Sequence, residues 1–149
     1  MSPTGPVKGA VALCNGLAAH LPVTLVSLKS SVQAVSGLLD SVSVLNLAEQ
    51  SSWIDRYRAY KRVLAGAGGR QSAVSLSFCL PADPFNLAFR GHARIVSSVR
   101  ANLFENYKFD FGRKGRLMAQ AHYKMLGAFD EVFAISAAMH AQLTDLGLT

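Results

Sequence analysis

An arginine, two asparagines, a glutamate and a tyrosine fall within one short stretch, Arg100-Ala101-Asn102-Leu103-Phe104-Glu105-Asn106-Tyr107. A planar guanidinium can grip a phosphate or carboxylate through two parallel hydrogen bonds. Asn102, Glu105, Asn106 and Tyr107 carry the groups that bind sugar hydroxyls. The alternative is local: Arg100 pairs with Glu105 or Asp130, and the other four order their own loop. The stretch follows Ile95-Val96-Ser97-Ser98-Val99, an apolar run of strand type. Ligands of open α/β sheets sit just beyond the carboxyl ends of the strands, so residues 100–107 read as a polar loop on a binding edge.

A second candidate lies at the start of the chain. Gly5, Val7 and Lys8 open a helical pattern, and helix-start amides without intrahelical partners can cradle a phosphate. Pro6 removes one of those donors, and an ordinary frayed helix start is the competing reading. Cys79 and Asp83 follow another strand and either line the same crevice or, for Asp83, cap the next helix. His20, His92, His122 and His140 have no metal-type spacing, and no nucleophile partner can be assigned to any of them from spacing. No metal and no cofactor is expected.

The elements that must carry these residues follow from patterning. Residues 1–6 read as a loop, and Val7, Val11, Cys14, Ala18 and Leu21 keep helical spacing up to Pro22. Val23–Leu28 is a β-branched run expected to be buried on both faces. Residues 32–39 suggest a short helix, and 42–47 a second strand. Ser51 or Ser52 is placed to cap a helix through Leu64, which Gly66-Ala67-Gly68-Gly69 ends. Further strands are expected over 73–78, 93–99 and 132–135. Helices are expected over 85–89 and 112–126, and a last one capped by Ser136 and closed by Gly147. Strands alternating with helices imply parallel βαβ units. The expected fold is an α/β, Rossmann-like three-layer sandwich with a mainly parallel sheet, one domain over residues 1–149.

Composition agrees with a globular chain. Half of the 149 residues are hydrophobic and 16% are charged, unlike a disordered segment. Residues 56–124 hold 13 of the 15 basic residues against three acidic ones, a surplus of ten. That surplus calls for an anionic partner or is simply a solvated face. Basic helix faces at 56–62 and 113–116 are candidates for an anionic membrane surface. Nucleic acid is not expected, since no motif for it is present. The apolar region 7–28 is broken by Asn15, Gly16, His20 and Pro22, so no spanning helix is expected. Cys14 and Cys79 read as buried, reduced thiols, a disulfide being the alternative. The chain is placed in the cytoplasm, at most peripheral to the inner membrane face.

Three local patterns together resemble a known family. They are Gly5-Pro6-Val7-Lys8 with the helix and the strand Val23–Ser27, then Ser97-Ser98-Val99-Arg100-Ala101-Asn102, then Phe129 to Met139. Their order and spacing resemble the amino-terminal, acceptor-side domain of family-4-type GT-B glycosyltransferases. The family normally has a strand before the glycine loop, where only Met1–Thr4 stand here. It also continues into a second domain that binds the nucleotide sugar and carries the acidic pair of the donor site. The resemblance implies the acceptor-binding half of a glycosyltransferase, taking a glycan or lipid-linked acceptor and meeting a nucleotide sugar only together with a donor domain. Alone it is expected to be inactive, whether as a fragment or as one subunit of a split enzyme. A non-catalytic docking module partnering a separate donor-domain subunit is the alternative.

Overall fold

The computed structural model describes residues 5–29, 37–78, 80 and 82–148. The protein is α/β, and its contacts divide it into two compact units, Met1–Gly66 and Ala67–Thr149.

The first unit contains α1 (Gly5–Ala18), β1 (Thr24–Ser27), β2 (Ser43–Asn46) and α2 (Trp53–Gly66). β1 and β2 pair in parallel, Thr24 opposite Ser43 and Ser27 opposite Asn46. The side chain of Asn15 on α1 holds the return to β2, donating to Gly37 O at 2.6 Å and accepting from Leu39 N at 3.0 Å. Ser52, rather than Ser51, caps α2: its Oγ accepts from Asp55 N at 3.1 Å and donates to Asp55 Oδ2 at 2.6 Å, the side-chain oxygen thus satisfying one of the free amides of the first turn. Val11, Val42, Leu47, Tyr60 and Leu64 are buried. β1 was expected to be buried on both faces, and none of its residues is: Thr24 is exposed and the other three are half-buried. Among the described residues β1 pairs with β2 alone, so it lacks the second neighbour that full burial requires. The helix suggested over 32–39 falls largely outside the described residues, as does Cys79.

The second unit contains β3 (Val74–Ser77), α3 (Ala82–Leu87), β4 (Arg94–Val99), α4 (Leu103–Phe111), α5 (Gly115–Leu126), β5 (Glu131–Ala134) and α6 (Ala137–Asp145). Its three strands are parallel in the order β3-β4-β5. β4 is central and the best buried, with Ile95, Val96, Ser97 and Val99 all inside. Val99, Tyr123, Leu126, Met139 and Leu143 form a core against which Leu103, Phe104 and Val132 pack. Ser136 caps α6 through Met139 N, and Gly147 follows at φ +69°, where a Cβ would be strained.

Residues 100–107, expected as a polar loop, are for the most part helical. They belong to α4 from Leu103 onward, its first turn capped by Asn102. Leu103, Phe104 and Tyr107 stand at helical spacing and turn an apolar face inward, which outweighs the polarity of Glu105 and Asn106.

Candidate functional site

The carboxyl edge of the three-stranded sheet is set by β4. Arg100 lies one residue past its end, half-buried, with its guanidinium 5.6 Å from the ring centroid of Phe78, the residue after β3. A cation over an aromatic face is held there by the ring quadrupole. Among the described residues Arg100 makes no ion pair with Glu105 or Asp130. Asp130 is taken elsewhere: it accepts from Arg70 Nη2 at 2.5 Å and from Ile95 N at 2.7 Å. The Ile95 amide, then Arg70, hold its carboxyl below the ordinary range.

The other expected residues divide. Asn102 Oδ1 accepts from Phe104 N at 3.0 Å and Glu105 N at 3.3 Å, so its side chain is occupied as a helix cap. Glu105 and Asn106 are exposed in the first turns of α4. Tyr107 points inward and is buried. Gly5, Val7 and Lys8 begin α1 in the other unit and are exposed. A Cβ built on Gly5 would meet nothing within 4 Å, so no close approach demands glycine there.

Beneath the sheet edge lies a group of buried polar side chains that spacing in the sequence did not reveal as one cluster. β3 alternates Val74-Ser75-Leu76-Ser77, and it is the serines that face inward while Val74 is exposed. Ser77 is in register with Ser97 on β4. Onto these serines α3 lays Asp83 and Asn86, three residues apart and so on one face of the helix. Asp83 Oδ1 accepts from Ser77 Oγ at 2.5 Å and Ser97 Oγ at 2.8 Å. Asn86 Nδ2 donates to Ser75 O at 2.9 Å and Val96 O at 3.2 Å, and its Oδ1 accepts from Ser75 Oγ at 2.6 Å.

The group continues into the helices. His122 of α5 places Nε2 2.8 Å from Asp83 Oδ2 and Nδ1 3.0 Å from the Tyr107 hydroxyl of α4. One proton assignment satisfies every atom: Nε2–H donates to the carboxylate and the phenol donates to Nδ1. Burial, and after it the charge of Asp83, push the Tyr107 phenol up to about 12, so it keeps the proton that it donates. Ser77 and Ser97 reach the carboxylate and not the imidazole, which differs from a nucleophile–base pair. Asp83, His122, Tyr107 and the three serines are each at most 5% exposed. Buried and satisfied in this way, they fix α3, α4 and α5 to the strands and thereby set the sheet edge that carries Arg100.

An open depression of about 330 Å³ also lies in this unit, between Phe104, Gln120, Tyr123 and Lys124 on one side and Leu146 and Leu148 on the other. Among the described residues no three His, Cys, Asp or Glu side chains gather as a metal site, and no helix is long and apolar enough to cross a membrane. Cys14 is a free, half-buried thiol. No family model, no curated protein and no solved structure matches this chain.

Proposed function

We propose that this chain is the acceptor-binding half of a GT-B-type glycosyltransferase, silent in catalysis until a donor-binding domain joins it. The observation that carries the reading is the strand pairing. β1 pairs with β2, and β3 with β4 and β5, all in parallel. The open doubly wound order 3-2-1-4-5-6 contains two such runs of parallel neighbours, 3-2 and 4-5-6. In that order the carboxyl ends of the strands form the ligand edge, and Arg100 stands at the end of β4 with Glu105 and Asn106 exposed on the helix that follows. This favours a hydroxyl-rich acceptor bearing a phosphate or carboxylate, gripped by the guanidinium. In this reading residues 5–148 position one reactant, and stabilising the leaving diphosphate, a major part of such catalysis, falls to the donor-binding domain.

The test is saturation-transfer NMR of the purified chain against simple sugars, sugar phosphates and the nucleotides UDP and GDP. Contact with at least one sugar phosphate is expected, lost in Arg100→Ala at unchanged thermal midpoint, with no contact to the nucleotides. A silent sugar panel, or sugar transfer from a nucleotide donor by the chain alone, overturns the proposal. The docking-module reading is favoured by a separate observation, the half-exposed Phe133 and Ile135 on and just beyond the outer strand β5. It requires co-purification with a donor-domain protein that Phe133→Ser abolishes and Arg100→Ala does not.

A further inference from the structure

The two basic helix faces differ in what their side chains touch. On α2, Arg56 lies 5.4 Å from the ring centroid of Trp53, with its donors 3.5 Å from Gln50 O and Leu28 O. That face is in part engaged with its own unit. The corner between α4 and α5 is different. Gly115 opens α5 so close to α4 that a Cβ there would lie 2.0 Å from Tyr107 O, and Gly112 turns the chain at φ +58°. Residues 108–117 therefore form one compact corner projecting beyond this crossing.

Its surface combines two properties that seldom coincide on a solvated helix. Phe109 is 91% exposed and Leu117 70% exposed, with Phe111 and Met118 also at the surface. Between and beside them stand Lys108, Arg113, Lys114 and Arg116, all exposed, with Asp110 the one acid from 108 to 118. Large apolar side chains left in water on a soluble face mark a contact site. Cations around them select a contact that is apolar within and anionic at its surface. A bilayer containing acidic phospholipids has this layering, and interfacial elements that bind it combine Lys and Arg with Phe and Leu.

We propose that the α4–α5 corner docks on an anionic lipid surface, Phe109 and Leu117 entering the headgroup boundary and the four cations meeting lipid phosphates. The proposal does not rest on the glycosyltransferase reading, because it uses none of the residues at the strand-end edge. The full-length protein would be assayed by flotation with phosphatidylcholine vesicles, with and without phosphatidylglycerol, over rising salt. The expected result is binding only to the anionic vesicles, weakened but not abolished by salt. Phe109→Ser/Leu117→Ser should weaken it by about tenfold or more, the transfer of two large apolar side chains being lost. Arg113→Glu/Lys114→Glu should weaken it comparably and remove its salt dependence. All four positions are exposed, and circular dichroism of each variant checks that the fold is kept. Absence of binding, binding indifferent to the serine variants, or equal binding to neutral vesicles overturns the proposal. So does tight, wholly salt-sensitive binding to an RNA homopolymer that the serine changes leave intact, or a self-association that those changes abolish.

Discussion

Replacing Asp83 with alanine removes the acceptor shared by two strands and one helix. Three donors lose it: Ser77 Oγ, Ser97 Oγ and His122 Nε2. Ser77 has a second acceptor in reach, Val96 O at 3.2 Å, and can turn to it. Ser97 has no other acceptor among the hydrogen bonds of the described residues. His122 can move its proton to Nδ1, but the Tyr107 hydroxyl then has a donor facing it and no acceptor for its own proton. Two buried polar groups are left unsatisfied, at about 1–3 kcal/mol each. The total, roughly 2–6 kcal/mol, brackets the cost of about 3–5 kcal/mol for breaking a buried pair by removing one member and is a large share of the roughly 5–15 kcal/mol typical of a domain. In urea, at a mid-range slope of about 2 kcal/mol per molar, the midpoint should fall by about 1–3 M. Asp83→Asn keeps an oxygen for the serines and orphans only the phenol proton after the tautomer shift, so it should cost about 1–3 kcal/mol. Far-ultraviolet circular dichroism across a urea series measures both. An Asp83→Ala loss under about 1 kcal/mol at unchanged slope would refute the hydrogen-bond accounting.

Two further outcomes follow from the same unit. The Tyr107 phenol is raised from 10.0 to about 12 on folding, so the unfolded chain releases this proton first as the solution becomes alkaline. Its contribution to stability should be whole below pH 10 and decline between pH 10 and about 12, and Tyr107→Phe should remove that part of the alkaline slope in a pH series of urea midpoints. Gly115→Ala drives a Cβ to 2.0 Å from the Tyr107 carbonyl oxygen. Backbone must move to admit it, so a loss of about 1–3 kcal/mol or more is expected, although alanine would ordinarily favour a helix.

The parts of the fold visible in the amino-acid order are those that local chemistry decides. Ile95–Val99 reads as a buried strand because β-branched Ile95, Val96 and Val99 flank two small serines, and Ser136 and Gly147 bracket α6 because caps and left-handed turns select those residues. α4 was hidden by the polar side chains on its outer face, although Leu103, Phe104, Tyr107 and Phe111 already carried its period. β3 misleads in the opposite sense: by polarity Ser75 and Ser77 belong outside, yet α3 supplies partners that make their burial satisfied. Asp83, His122 and Tyr107 come from three helices, with no fixed spacing to give them away. His122, on the inner face of α5, looks from its neighbours like any histidine of an apolar stripe. Nor does a strand's own pattern say how many neighbours it has, which is why β1 was expected to be more deeply buried than it is.

The carboxylate of Asp83 also bears on the order in which this unit assembles. Water satisfies it while it is exposed, and it can be dry without penalty only after β3, β4 and α5 have each delivered a donor. α3, six residues long, cannot hold its helical form unaided and so has no reason to persist before that moment. The helix and its serine bed therefore close as one event with the docking of α5, water leaving last. Fluctuations that open any one of these contacts should admit solvent to all of them, making β3, α3, β4 and α5 a single cooperative element whose backbone amides exchange together rather than piece by piece.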